Sequence, residues 1–234
     1  MQRQGWHQRV NGALMGVMSC EAFNAGCLAA LSDPKLQQCS AESLGTAFLK
    51  CASLGLMPGP QNLVSLIPRR NEITVMLGWR GIAALFNRLP HVAQVSAVLV
   101  HIDDPLQIEP FQHEAHPFDR EVTSPDDCRG GYLRIEYADG RIHFTSIRKI
   151  LENKKAAGNS SVWRTYFAPM ALKTIYRDAW ARAAVSFEPG AAQAQHIVNA
   201  ELHERIANDE NPARVSAQRR VKSPAAAALT YDKA

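Results

Sequence analysis

The chain has 234 residues and 46% hydrophobic content, enough for one sizeable domain with a core and too apolar for wholesale disorder. Its longest apolar runs, such as Val98–Val100, are too short to cross a bilayer, and Met1–Trp6 lacks the apolar stretch of a secretory signal, so a cytoplasmic protein with no membrane partner is expected. The net charge of +4 conceals segregation: residues 101–130 carry two basic and eight acidic side chains, and residues 131–182 carry ten and four.

Met1 to about Ser32 is rich in small and apolar residues and reads as helical. Ser40 is placed to cap the next helix, in which Leu44, Ala47, Phe48, Cys51 and Leu54 recur at helical spacing. Gly55 then stands where a left-handed residue ends a helix, and Pro58 prevents continuation. The period changes to two at Val64 and Leu66 and again at Ile73, Val75 and Leu77, with Pro68–Asn71 between them as a hairpin connection. A short helix with Ile82, Leu85 and Phe86 on one side follows Gly78–Gly81, and Val95, Ala97 and Leu99 mark a strand.

Residues 103–130 read as a long acidic connection, followed by a second hairpin turning at Asp139-Gly140, with Leu133, Ile135 and Tyr137 before the turn and Ile142 and Phe144 after it. Ser146 is a candidate cap for a helix through about Lys155. The last strong helix runs from about Met170 to Ala184, with Leu172, Ile175, Tyr176, Ala179, Trp180 and Ala183 as its apolar stripe. The fold class expected is α+β: a small antiparallel sheet of two hairpins packed with helices. Residues 1–35 form an N-terminal helical segment, 36–185 the core, and 186–234 a tail, largely disordered from about residue 208.

Several chemistries lack their motifs. There is no phosphate-binding GxxxxGK[ST] loop, no GxGxxG and no GxSxG, so a P-loop nucleotide site is not supported and ATP-driven strand exchange is disfavoured. Cys20, Cys27, Cys39, Cys51 and Cys128 form an odd set without a CxxC pair, which argues against a zinc site or a disulfide framework. His113 and His116, with Asp103, Asp104, Glu109 and Glu114 nearby, carry metal-binding donors, but their spacing fits a polar surface loop better than any metal motif. No cofactor is expected; Mg²⁺ is allowed by these donors but not shown by the sequence.

The basic block mixes cations with rings. Arg148, Lys149, Lys154 and Lys155 precede Trp163, Tyr166 and Phe167, and Lys173 and Arg177 follow four apart on the polar side of the last helix. A single nucleic-acid strand needs both kinds of group, cations along its phosphates and flat rings for its bases. The plainer alternatives are core packing for Trp163 and Phe167 and solvation for the lysines.

Leu49–Pro58 (LKCASLGLMP), Leu66-Ile67-Pro68, Leu77–Ile82 (LGWRGI) and Ser161–Arg177, containing MALKTIYR, resemble, in order and spacing, the motifs of RecT-type single-strand annealing proteins of bacteriophages. Arg69 replaces a usual aromatic, Val162 a frequent proline, Pro169 an acidic residue and Asp178 a basic one. The resemblance implies ATP-independent binding of single-stranded DNA, annealing through a duplex intermediate, and homo-oligomeric rings or filaments built with the N-terminal segment. It implies a phage exonuclease and a host single-strand-binding protein as partners. On the matching positions it implies a nucleic-acid surface that includes Trp79, Arg80, Trp163, Tyr166, Phe167, Lys173, Thr174 and Arg177; Arg69, Arg70, Arg148, Lys149, Lys154 and Lys155 join them as candidates by their charge. Two rival functions remain at this stage: a general single-stranded DNA or RNA-binding module without annealing activity, and a metal-dependent nuclease using the acidic stretch.

Overall fold

The structure is a computed structural model and describes residues 2–59, 61–69, 71–107, 112–114, 121–140, 142–147 and 161–182. Three helices come first: α1 (Gln2–Leu14), α2 (Cys20–Ala30) and the short α3 (Pro34–Gln37). Ser19 caps α2, its hydroxyl accepting from the Ala22 N–H at 3.1 Å, and Asp33 caps α3 through the Lys35 N–H at 2.9 Å. Helix α4 (Ala41–Ser53) begins as its sequence indicates, with the Ser40 hydroxyl accepting from the Ser43 N–H at 3.2 Å. It ends on Gly55 at φ +60°, where the Gly55 N–H returns to Ala52 and the Leu56 N–H to Cys51. That crossed pair satisfies carbonyls the helix leaves without partners, and the Arg88 guanidinium takes two more, those of Leu54 and Gly55.

Strands β1 (Val64–Arg69) and β2 (Glu72–Leu77) form a two-stranded antiparallel sheet. The connection is shorter than the expected four residues, because Pro68 pairs with Ile73 and Arg69 with Glu72. Proline is tolerated in β1 because the Pro68–Ile73 pair faces outward from the ladder. The Ile73 N–H goes to the Ser43 hydroxyl at 2.7 Å, so no N–H is asked of its partner.

After α5 (Trp79–Phe86) come β3 (Val92–His101), the two-residue strands β4 (Leu106–Gln107) and β5 (Gln112–His113), then β6 (Cys128–Tyr137) and β7 (Ile142–Ile147). The two expected hairpins do not share one sheet. The second joins β3 in a separate three-stranded antiparallel sheet of order β3-β6-β7, and β4 pairs with β5 alone. The expected helix cap at Ser146 is also corrected. Ser146 pairs with Tyr132 inside β7, because the waiting edge of β6 outweighs a local capping signal. Ile147 likewise pairs with Gly131, and residues 148–155 of that expected helix lie outside the described residues.

The last two described helices are α6 (Ser161–Thr165) and α7 (Phe167–Arg182). Helix α7 starts earlier than the sequence indicated, and Pro169 sits in its first turn, where the missing N–H costs no intrahelical bond. Ile175 packs over the sheet at Gly131; a Cβ there would stand 2.5 Å from Ile175 Cδ1. Trp180 meets Phe86 edge to face, with centroids 4.8 Å apart at 88°. Val10, Leu14 and Phe23 belong to the same core cluster as Leu54, Leu133 and Trp180. Burying each large apolar side chain contributes about 1.5–3 kcal/mol before the entropy cost of ordering. Helix α2 leaves Ala22, Ala25, Leu28 and Ala29 on an exposed face, and Met15 and Val17 stand exposed in the turn before it.

Candidate nucleic-acid interface

The first turn of α5 is built on two glycines. Gly78 donates its N–H to the Leu63 carbonyl at 2.9 Å, and a Cβ at Gly78 or Gly81 would collide with the carbonyl oxygen of Asn62 or Leu63. Only glycine lets the helix lie so close to the 62–63 backbone. Between them, Trp79 is half-buried and Arg80 is exposed.

Trp79 reaches α7. Its ring stacks on Tyr176 with centroids 5.9 Å apart and planes 16° from parallel. The Arg80 guanidinium carbon lies over the Trp79 ring, 5.3 Å from its centroid, within the range of a cation–π contact. Tyr176 is 4% exposed and its hydroxyl accepts from the Ala97 N–H of β3 at 3.1 Å. Burial pushes the Tyr176 phenol up from its ordinary pKa, against a smaller opposite effect of the Ala97 bond, so the hydroxyl stays protonated at neutral pH. A cation on α5 is thus tied through two stacked rings to α7 and the sheet.

The other candidates fall into three groups. Trp163 and Phe167 are 2% exposed with centroids 6.1 Å apart, Thr174 is 2% exposed and donates to the Met170 carbonyl at 3.0 Å, and Arg177 is 5% exposed. These four are part of the packed interior, and the expectation that Arg177 lies on a solvated face is corrected. Besides the expected stripe, Ala171, Thr174 and Arg177 are buried, so α7 is covered over a wider arc than its apolar period marks. Lys173 is half-buried, while Arg69, at the end of β1, and Tyr166, 59% exposed, are open. Arg70, Arg148, Lys149, Lys154 and Lys155 lie outside the described residues. Sequence reasoning missed one part of the Trp79 contact: Tyr176 was assigned only to the apolar stripe, although a buried phenol requires a hydrogen-bond partner. Arg164, within the segment that mixes cations with rings, is exposed in α6 two residues before Tyr166.

The acidic stretch has a different organisation. His113 is engaged at both ring nitrogens, with Asp104 Oδ2 at 3.0 Å and the Tyr132 hydroxyl at 3.1 Å. Asp104 Oδ2 also accepts from the His101 N–H at 3.1 Å. Neither His113 nitrogen is left for a metal, and among the described residues no group of three His, Cys, Asp or Glu side chains could hold one. Among the described residues no helix is long and apolar enough to cross a membrane.

The RecT family model matches residues 21–213. The chain belongs to the RecT family. It is similar to Protein RecT of Escherichia coli (strain K12), with 27% identity over 173 residues, covering 66% of this chain and 62% of that protein. The chain therefore matches less than two thirds of that relative's length. The RecT family match takes in both segments that meet at Trp79 and Tyr176, as well as α2 from its second residue onward.

Proposed function

We propose that this chain binds single-stranded DNA and anneals complementary strands without ATP, as part of homologous recombination. RecT family membership supports the class. The observation that carries the reading is the meeting of the Gly78–Ile82 turn with α7, which puts the exposed Arg80 on a stacked aromatic support. Annealing needs no covalent step. Its barrier is the approach of two polyanions with their bases exposed. Cations neutralise phosphates and release counterions, which lowers that barrier for any sequence. Base pairing and stacking then drive the product.

Self-association belongs to the same proposal. Subunits side by side lengthen the cationic track, so modest affinity per subunit suffices. The exposed apolar face of α2 is the surface proposed for it, and Leu28→Glu is expected to reduce oligomer mass by light scattering while leaving the fold melting as before. The setting proposed is the cytoplasm, with an exonuclease that exposes single strands and a single-strand-binding protein as partners.

The test is an annealing assay with two complementary oligonucleotides, one carrying a fluorophore and the other a quencher. The expected result is rapid quenching in the absence of ATP. Binding of each strand without faster annealing would leave a plain single-strand-binding module. Strict dependence on ATP would contradict the reading.

A further inference from the structure

Trp79 has the surroundings of a support more than those of a surface for bases. One neighbour of its ring is Tyr176, nearly parallel at 16°, and the Arg80 guanidinium also lies over the ring. A base stacking there would have to displace that cation. The support is well held: Tyr176 is 4% exposed and hydrogen-bonded to β3, and the α5 turn is packed through Gly78 and Gly81 against the 62–63 backbone.

We infer that Trp79, backed by Tyr176, is a seat that fixes the Arg80 guanidinium for a backbone phosphate of the bound strand. Arg80 makes the contact; Trp79 and Tyr176 are positioning residues. The inference rests on the single-strand reading above. A cation held by the π-face of a ring keeps its N–H donors for another acceptor, and arginine offers them in a planar fork suited to phosphate. An arginine ordered beforehand also loses less side-chain freedom on binding. The contact is to phosphate and ignores base identity, as annealing of arbitrary sequences requires.

The experiment is a mutant cycle in the full chain. Affinity for a mixed-sequence labelled oligonucleotide is measured over a range of salt concentrations for the parent protein, Arg80→Ala, Trp79→Ala, the double variant and Trp79→Phe. Arg80→Ala is expected to weaken binding about two- to fivefold, the scale of one exposed ionic contact, and to flatten the log–log salt slope by up to about 0.7. Trp79→Ala is expected to give the same loss and the same flattening although it removes no charge. The double variant should match either single one, and Trp79→Phe should bind as the parent does. If Trp79→Ala melts below the assay temperature, Trp79→Leu, which keeps apolar bulk without the π-face, replaces it in the cycle. Losses that multiply in the double variant, or a Trp79→Ala loss with the salt slope intact, make Trp79 an independent base platform and overturn the seat. An Arg80→Ala protein with unchanged affinity and slope overturns it too. A parent protein that retains no oligonucleotide overturns the single-strand reading itself, which distinguishes the two failures.

Discussion

The Arg88 guanidinium holds the carbonyls of Leu54 and Gly55 at 2.7 and 2.8 Å, closing the C-terminal end of α4 from just beyond the end of α5. Two elements separated by the whole β1–β2 hairpin are thereby joined through one side chain. Arg88→Ala leaves two partly buried carbonyls without that donor and is expected to cost about 1–3 kcal/mol. Arg88→Lys, which can reach only one carbonyl well, is expected to recover part of the loss. Urea unfolding of the three proteins checks the order.

Trp163 and Tyr166 are three residues apart and should respond in opposite ways. Trp163→Ala empties a buried site and is expected to lose about 3–5 kcal/mol of stability. Tyr166→Ala, at an exposed position, is expected to change stability by less than about 0.5 kcal/mol. It is expected instead to weaken single-strand binding with little change in salt slope, as loss of a base-stacking ring would. Thermal melting and oligonucleotide titration of both variants decide it; equal affinity in Tyr166→Ala removes that residue from the surface.

Lys173 and Arg177 separate along the same lines. Arg177, 5% exposed, is expected to cost on the order of 1–3 kcal/mol when replaced by alanine, because the interactions of a buried guanidinium are lost with it. Lys173→Ala, at a half-buried site, is expected to change stability less and to flatten the salt dependence of binding. An Arg177→Ala protein with the parent's melting temperature would refute the interior role.

Asp104 gives a pH signature. Burial alone would raise its carboxyl, but the His113 hydrogen bond, the His101 backbone N–H and the two nearby imidazoles outweigh burial and hold it below the ordinary carboxylate value. A group depressed in the folded state contributes stability above its unfolded pKa and loses that contribution as the pH falls through the folded value. The loss is expected below about pH 4. Asp104→Asn should therefore be less stable than the parent at neutral pH, and the gap should narrow on acidification. Denaturant midpoints at about pH 7 and about pH 3 measure it, and a gap that stays constant contradicts the assignment.

What the sequence showed and what it hid follow one physical division. The Ser40 cap, the left-handed Gly55 and the Asp139-Gly140 turn were legible because each is determined by residues within one turn of chain. Ser146 was misread because its local capping chemistry was sound, and only pairing with Tyr132 on the β6 edge, beyond the reach of a capping signal, redirects it into β7. Arg177 was misread because a helix face becomes interior through what packs on it, and charge type says nothing of that. The motifs around Trp79 and Tyr176 were each visible, but their stacking is a contact between distant segments that no periodicity encodes.

The outward-facing pair Pro68–Ile73 has a consequence for how copies of this chain can meet. A two-stranded ribbon has two open margins, and each invites a foreign strand to extend it. At this register neither margin can accept one in the usual way: Pro68 has no N–H to offer, and the Ile73 N–H is already held by Ser43. Further back, β1 is bridged at Val64 by Pro58. At this register the ribbon is thus guarded against extension by a foreign strand, and aggregation through this hairpin is discouraged by one proline and one serine hydroxyl.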